Sequence, residues 1–223
     1  MASTHRTTQR TGTPMERAPR PDLGQSVVSK HRYTSKTYME EEQRHLWNRV
    51  WLLAGFESDL KEAGSYFTFE VGRESVIVLR QETGEVRAFH NVCMHRGNRL
   101  IEPGMGKVRG ITCLFHAWRY AIDGRLEEAL DESTFPQGCP RETLSLRPVQ
   151  CELWGGFVWI NMNPDCESLG EYLEVIPEHL NPYHFEEMQI TGDYTLEIDC
   201  NWKTSMDAFH EAYHIYGTHP DTL

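Results

Sequence analysis

The sequence predicts an α+β protein, with a small antiparallel β domain followed by the beginning of a second α+β domain. Short segments rich in β-branched and aromatic residues alternate with turn signals through the middle of the chain, which is typical of antiparallel strands. Helical patterns lie on both sides of these strands, at residues 38–51 and 202–216. The pattern changes after Asn163-Pro164, so we expect a domain boundary between residues 165 and 166.

The composition excludes several classes of protein. The 223 residues fit one large domain or two small ones, and 39% hydrophobic with 25% charged residues excludes a fibrous or wholly disordered chain. The net charge of −11 argues against a nucleic-acid partner, because binding to a phosphate backbone needs a basic surface. No stretch approaches the roughly 20 apolar residues that span a bilayer, and no apolar segment follows the N-terminus. We therefore expect a cytoplasmic protein with no membrane partner.

Residues 1–35 are expected to form a disordered basic tail. Residues 1–36 carry seven basic and two acidic side chains. Three prolines, Pro14, Pro19 and Pro21, interrupt the amphipathic helix that a transit peptide would need, so disorder is the preferred interpretation.

The first folded domain, residues 36–165, begins with one predicted amphipathic helix. Residues 38–51 place acidic side chains in the first turn and repeat Trp47 and Trp51 at helical spacing. Predicted strands follow at 66–71, 75–80, 86–91 and 157–161, with an Asp123-Gly124 hairpin signal between the third and the fourth. The second domain, residues 166–223, is predicted to contain a helix at 169–176, an extended segment at 189–200 and a helix at 202–216, and we expect it to be incomplete.

Two short Cys/His pairs indicate a metal site. Cys93-Met-His95 and Cys113-Leu-Phe-His116 each follow a predicted strand directly. Because no export signal is seen among the first residues, metal binding is favoured over disulfides, and the four side chains suit zinc or an iron–sulfur cluster. Each loop contributes one thiol and one imidazole, an alternation that suits two irons, one bound by the thiolates and the other by the imidazoles.

Cys93-Met-His95-Arg-Gly97 and Cys113-Leu-Phe-His116-Ala-Trp118 resemble the two cluster loops of a Rieske [2Fe–2S] domain, with its ISP-like fold. The resemblance implies one [2Fe–2S] cluster, held by Cys93, His95, Cys113 and His116. Neutral imidazoles lower the negative charge on such a cluster and so raise its reduction potential. Leu114 and Ala117 stand where many family members have Pro and Gly.

The last predicted helix carries a second constellation, with Asp207, His210, Glu211 and His214 on one stripe of an ideal helix. His210-Glu211-Ala-Tyr-His214 matches the zinc-hydrolase pattern H-E-x-x-H, but Pro220 stands where an extended zinc motif needs its third histidine. We keep a zinc hydrolase as a weak alternative.

A competing pattern is Glu211-x-x-His214-x4-His219. Its two histidines can face one metal only if the helix breaks or bulges between them, and Gly217 is the expected place. Together with Asn201-Trp-Lys203, it resembles the mononuclear-iron segment of the Rieske non-heme iron aromatic-ring-hydroxylating oxygenases, alpha (large) subunit. The resemblance implies a helix-grip-like catalytic domain. It also implies that His214 and His219 are two ligands of Fe(II) and that an aspartate beyond residue 223 is the third ligand. Glu211 is implied as the catalytic residue through which electrons pass to the iron. Asp207 and His210 are read as polar residues of the helix surface.

The resemblance also implies the function. Electrons from NAD(P)H would pass through a reductase, with or without a ferredoxin, to the cluster and then through Glu211 to Fe(II). The expected reaction is O2-dependent mono- or dihydroxylation of a small aromatic or related organic substrate, as in aromatic hydrocarbon catabolism, by a homotrimer or an alpha3beta3 assembly. Family members are considerably longer, so we expect a fragment or a truncated product without a complete active site. The alternative is a stand-alone Rieske electron-transfer module.

Overall fold

The protein is described here from a computed structural model that covers residues 27–219 and residue 221. Most of the tail that is expected to be disordered, residues 1–26, lies outside the described residues. The chain divides into two compact units. One unit is Ser35–Cys200, and the other combines the described parts of Met1–Thr34 and Asn201–Leu223. The predicted domain boundaries stay a prediction.

The elements are short and mostly extended. The helices are α1 (His31–Thr34), α2 (Lys36–Glu42), α3 (Leu169–Leu173), α4 (Ile176–Leu180), α5 (Trp202–Phe209) and α6 (Ile215–Thr218). The strands are β1 (Leu52–Phe56), β2 (Ser65–Val71), β3 (Glu74–Arg80), β4 (Val86–His90), β5 (Met105–Lys107), β6 (Ile111–Thr112), β7 (Arg119–Tyr120), β8 (Leu126–Glu128), β9 (Pro148–Trp154) and β10 (Phe157–Asn161). None of the helices in the described part of the chain has the length and apolar character needed to cross a membrane.

Two antiparallel sheets form the larger unit. Seven strands pair in the order β1-β10-β9-β4-β3-β2-β5, and three more pair in the order β6-β7-β8. All four predicted strands are present within one residue of their predicted ends, and the Asp123-Gly124 hairpin connects β7 to β8. The prediction of a small antiparallel β domain is confirmed.

Strand β3 is buried on both faces and separates two parts of the core. Val76 and Val78 belong to one hydrophobic cluster, together with Val158. Ile77 and Leu79 point to the other side, because successive side chains of a strand alternate between faces. That second cluster also contains Cys93, Cys113, Trp118 and Tyr120. The predicted cluster loops are therefore anchored in the hydrophobic core of this unit.

The prediction of one helix over residues 38–51 is wrong at its C-terminal end. Helix α2 continues only as a π-helical turn, Gln43–Trp47. Trp51 lies beyond that turn and packs in a third hydrophobic cluster with Leu169 and Leu173 of α3. Its indole N–H donates to the carbonyl of Glu167 at 3.0 Å. The helical spacing of the two tryptophans misled the prediction, because Trp51 is buried by a contact distant in sequence.

The region after residue 165 also differs from the prediction. The predicted helix at 169–176 is two helices, α3 and α4, separated at Glu174, whose φ of 48° lies in the left-handed region. A capping box starts α3: the Ser168 hydroxyl accepts from the Glu171 N–H, and the Glu171 carboxylate accepts from the Ser168 N–H. Among the described residues, no strand forms in the span 189–200 that was predicted to be extended.

The prediction of a continuous helix over residues 202–216 is wrong. Helix α5 ends at Phe209, and His210 is its C-cap. The Glu211 carboxylate accepts hydrogen bonds from the N–H groups of Tyr213 and His214, the latter at 3.1 Å. This side chain therefore caps a new turn and competes with continuation of the helix. The break expected between His214 and His219, at Gly217, is not there: α6 runs through Gly217 from the N-cap His214 to the C-cap His219, and the break lies before His214.

Candidate functional site

The two predicted cluster loops have the same backbone architecture. In the first loop, the Cys93 N–H donates to the Asn98 carbonyl at 2.8 Å, and the Gly97 N–H donates to the Cys93 carbonyl at 2.9 Å. In the second, the Cys113 N–H donates to Trp118 at 2.8 Å, and the Ala117 N–H donates to Cys113 at 2.9 Å. Each cysteine is thus the first residue of a tight turn, and the residue five positions later pairs with it through a backbone hydrogen bond.

Both turns need a left-handed residue four positions after the cysteine. Gly97 has a φ of 73° and Ala117 a φ of 55°. Glycine adopts this conformation without steric cost, whereas alanine pays roughly 1 kcal/mol because its Cβ approaches the backbone. The alanine that departs from the family pattern is therefore accommodated at a cost in stability.

A buried asparagine braces the first loop. The Asn91 side-chain amide donates to the Ser75 hydroxyl at 2.9 Å and to the Ile101 carbonyl at 2.6 Å. Its side-chain oxygen accepts from the N–H groups of Leu100 and Ile101 at 3.2 and 2.9 Å. Both N–H donors of this amide and both acceptor positions of its oxygen are hydrogen-bonded. Asn91 therefore connects the end of β4 to residues 100 and 101, which follow the first loop.

The loops separate the two kinds of side chain. Cys93 and Cys113 are 2% and 1% exposed, and they belong to the same hydrophobic cluster. His95 and His116 are only partly buried, with ring centroids 4.6 Å apart. The structure therefore brings together the four residues that the sequence predicts, with the thiols inside and the imidazoles toward the surface.

One histidine is held with a polar atom unpaired. The His95 ring stacks on Trp118 at a centroid distance of 4.7 Å and an interplanar angle of 9°. Its Nδ1 is buried and has no hydrogen-bond partner within the described residues. Burial first, and the neighbouring His116 second, lower the pKa of His95, so the ring is neutral at pH 7. A neutral, oriented imidazole with an unpaired nitrogen fits a metal ligand.

Tyr120 connects the first thiol to the core. Its hydroxyl oxygen lies 3.3 Å from Cys93 Sγ and accepts from the Met94 N–H at 3.0 Å, so its proton is available to the sulfur. Burial, and then the bond to Cys93, raise the pKa of Tyr120, which keeps the hydroxyl protonated. This contact was not predicted from the sequence, because it joins residues 27 positions apart. The signal that could have indicated it is a tyrosine at a buried position of β7.

The environment of Cys113 favours a thiolate. Burial acts to raise the pKa of Cys113, but hydrogen bonds from the backbone N–H groups of Phe115 and His116 and from side chains including Asn98 outweigh it and lower the pKa. Backbone N–H groups directed at a sulfur stabilise negative charge there. The donor set of two thiols and two imidazoles, with N–H groups around the sulfurs, fits a [2Fe–2S] cluster of the Rieske type.

The second constellation is only partly assembled. The Glu211 carboxylate lies 2.6 Å from His214 Nδ1, and this hydrogen bond is the main cause that lowers the pKa of Glu211. When Nδ1 carries the proton, Nε2 presents a lone pair, which is the form that binds metal. The rings of His214 and His219 lie 5.7 Å apart at 79°. Asp207 is separate from this group and accepts a hydrogen bond from Tyr33.

Within the described part of the chain, no three His, Cys, Asp or Glu side chains converge on a position that one metal ion would take. The zinc-hydrolase alternative loses its basis, because His210 caps α5 and does not share a helix with His214.

Comparison with known proteins identifies both regions. Residues 50–137 match the family described as Rieske [2Fe-2S] domain, and residues 185–223 match the family described as Ring hydroxylating alpha subunit (catalytic domain). The chain contains a Rieske [2Fe–2S] domain and the N-terminal part of a ring-hydroxylating alpha-subunit catalytic domain. These domains imply a Rieske cluster and a mononuclear iron as cofactors. The family resemblance seen in the sequence is confirmed.

The relatives are oxygenases with different substrates. The chain is 31% identical over 191 residues to the glycine betaine monooxygenase oxygenase subunit of Pseudomonas aeruginosa, across 86% of this chain and 44% of the relative. It is 32% identical over 188 residues to the biphenyl 2,3-dioxygenase alpha subunit of Rhodococcus jostii, across 82% and 41%. The solved apo form of a quaternary ammonium Rieske monooxygenase matches with a TM-score of 0.81 and 31% identity, across 86% of this chain and 57% of that chain. The chain spans about half the length of the curated relatives it matches.

Proposed function

We propose that this chain belongs to the oxygenase subunit of a Rieske non-heme iron oxygenase. A reductase, with or without a ferredoxin, delivers electrons from NAD(P)H to the Rieske domain, and the catalytic domain uses them for O2-dependent hydroxylation of a small organic substrate. The presence of both matched domains, in this order on one chain, supports the proposal. An assembly as a homotrimer or alpha3beta3 complex, with electrons crossing between subunits, belongs to the same proposal.

The observation that carries the electron-transfer part is the arrangement of the two loops. Cys93 and Cys113 would hold one iron from the core side, and His95 and His116 would hold the other from the surface side. When bound, the cluster accepts and releases one electron at a time. The chain supports this by excluding water from the thiols and by holding the His95 ring against Trp118.

The catalytic part rests on the Glu211 turn. His214 and His219 would bind Fe(II), with an aspartate outside residues 1–223 as the third ligand. Glu211 holds the proton of His214 at Nδ1, which leaves Nε2 for the metal. In the proposed role, the same carboxylate connects His214 to a Rieske histidine of a neighbouring subunit.

For the substrate, the first candidate is a small quaternary ammonium compound. Relatives named for glycine betaine and for quaternary ammonium oxidation support it, the latter with a TM-score of 0.81. An aromatic compound, the substrate expected from the sequence, is the second candidate, and the biphenyl dioxygenase alpha subunit at 32% identity supports it.

Metal analysis and oxygen uptake test the proposal. Protein purified anaerobically should contain about two irons and two acid-labile sulfides in the cluster and give a Rieske-type electron paramagnetic resonance signal after reduction. Cys113→Ser should abolish that signal, whereas Cys200→Ser, at an exposed cysteine, should retain it. Zinc without sulfide would contradict the cluster. With a reductase and NADH, uptake of O2 that depends on glycine betaine supports the first substrate, and uptake only with biphenyl supports the second.

A stand-alone electron-transfer module is the second candidate function. It would need only the Rieske [2Fe-2S] domain, which is matched over residues 50–137. This function predicts a reducible cluster, no substrate-dependent O2 uptake, and a Glu211→Ala variant that differs from the wild type in stability alone.

A further inference from the structure

A residue from the N-terminal segment is bonded to the helix that leads into the second constellation. The Tyr33 hydroxyl donates to Asp207 Oδ2 at 2.7 Å, and the Asn201 side-chain amide donates to the Tyr33 carbonyl at 3.2 Å. These contacts join residues 174 and 168 positions apart in the sequence. Both contacts lie within one compact unit, which contains Tyr33 and the residues from Asn201 onward. The other unit begins two residues after Tyr33, at Ser35.

The two bonds hold opposite ends of α5. Asn201 is the N-cap of this helix, where its side-chain oxygen also accepts from the Lys203 N–H at 3.1 Å, and Asp207 lies in the last turn. Between them, the Lys203 ammonium lies 5.7 Å from the centroid of the Tyr33 ring and 5.0 Å from that of Trp202. Tyr33 is therefore bonded both to the N-cap of α5 and to its last turn.

Helix α5 depends on such contacts because it is short and weakly packed. All eight of its residues remain at least partly exposed. An isolated helix of this length is marginal in water, so tertiary contacts must hold it. The hydrogen bond to Asp207 raises the pKa of Tyr33, so the hydroxyl stays protonated and able to donate at neutral pH.

The orientation of α5 determines where the Glu211 turn lies. The helix ends at Phe209, His210 caps it, and Glu211 and His214 follow at once. We infer that Tyr33 is a positioning residue, which acts through Asp207 and Asn201 to fix α5 and thereby the direction of Glu211 and His214. This inference rests on the proposed function of that turn as part of an iron site, and it gives Asp207 a role that the sequence did not assign.

Hydrogen exchange and metal titration test the inference. Tyr33→Phe removes only the hydroxyl, and because its bond to Asp207 is exposed to solvent, the loss corresponds to roughly a threefold to tenfold change in an equilibrium, less than for a buried bond to a charged group. Amides in peptides covering residues 202–218 should exchange faster by that factor. Co(II), followed by its d–d absorption, should bind more weakly by a similar factor and with an altered band pattern. Tyr194→Phe, at a tyrosine that is 89% exposed, is the matched control and should match the wild type in both measurements.

A double-variant comparison separates this coupling from a general loss of stability. If Tyr33 acts through Asp207, then adding Asp207→Ala to Tyr33→Phe should add little to the effect of either change alone. Wild-type exchange rates across 202–218 in Tyr33→Phe would overturn the inference. A wild-type chain that takes up no Co(II) at His214 would instead count against the proposed iron site, and the exchange rates would still decide the role of Tyr33.

Discussion

Replacing Tyr120 by phenylalanine should lower the reduction potential of the cluster. The change removes the hydroxyl that lies 3.3 Å from Cys93 Sγ and keeps the ring in the hydrophobic core. A hydrogen bond to a ligand sulfur stabilises the reduced cluster more than the oxidised one, because reduction adds negative charge that spreads onto the sulfurs. Its removal therefore disfavours reduction.

The magnitude follows from the strength of such a bond. Hydrogen bonds to charged groups contribute about 1.5–3 kcal/mol. The added electron is shared among two irons, the sulfides and the ligands, so the hydrogen bond strengthens by only part of this energy when the cluster is reduced. We take that part as about a third to a half, which is about 0.5–1.5 kcal/mol. For a one-electron couple, with 59 mV for each factor of ten, this corresponds to a fall of about 20–65 mV.

A redox titration monitored by electron paramagnetic resonance measures this effect. The matched control is Tyr66→Phe, because Tyr66 packs against the same hydrophobic cluster as Tyr120. That variant should keep the wild-type potential. Thermal unfolding and iron content must show that the Tyr120 variant retains its fold and cluster, since the Met94 N–H loses its acceptor in this variant. An intact Tyr120→Phe cluster with the wild-type potential would refute the reasoning.

Three further predictions concern the loops and the stability of the fold. Ala117→Gly should stabilise the protein by about 0.5–1 kcal/mol, or raise its Tm by about 1–4 °C, because the φ of residue 117 is 55°. Gly97→Ala, at the equivalent position of the first loop, should destabilise the protein by a similar amount. Equal shifts in Tm of the same sign for the two variants would contradict the argument. Asn91→Ala should cost about 2–3 kcal/mol in urea unfolding, because four hydrogen bonds lose their buried partner. The Ser168 hydroxyl holds the pKa of the Glu171 carboxyl below its ordinary value. The ionised carboxylate therefore stabilises the fold at a pH above that ordinary value, and the stabilisation is lost as pH falls through the lowered pKa. The stability of a Glu171→Gln variant should depend less on pH below about pH 4.5 than that of the wild type.

The parts of the molecule that the sequence predicts are those set by local patterns. The strands are predictable because their β-branched and aromatic residues and the turn residues between them are local signals. The ligand loops are predictable because Cys93, His95, Cys113 and His116 have a characteristic spacing close to strand ends. The fold class and the domain resemblance follow from these same signals.

The errors have a common physical origin in side-chain contacts that compete with local periodicity. Trp51 has helical spacing but is buried against α3, more than 110 residues away in sequence. The helix predicted over 202–216 stops because the Glu211 carboxylate takes the N–H groups of the next turn. The contact of Tyr120 with Cys93 and that of Tyr33 with Asp207 likewise depend on tertiary structure, for which hydrophobic periodicity carries no signal.

The separation of thiols from imidazoles makes two properties of the proposed cluster independently adjustable. The core side contains Tyr120 and the N–H groups around the sulfurs, which act on the potential because they stabilise negative charge there. The surface side contains the imidazoles, whose rings are partly exposed and through which an electron would leave toward an acceptor. A substitution on the core side should therefore change the driving force for electron transfer with little change in the exposed surface. A substitution on the surface beside His116, such as at Leu114, which is 91% exposed, should alter contact with an acceptor and leave the potential near its wild-type value.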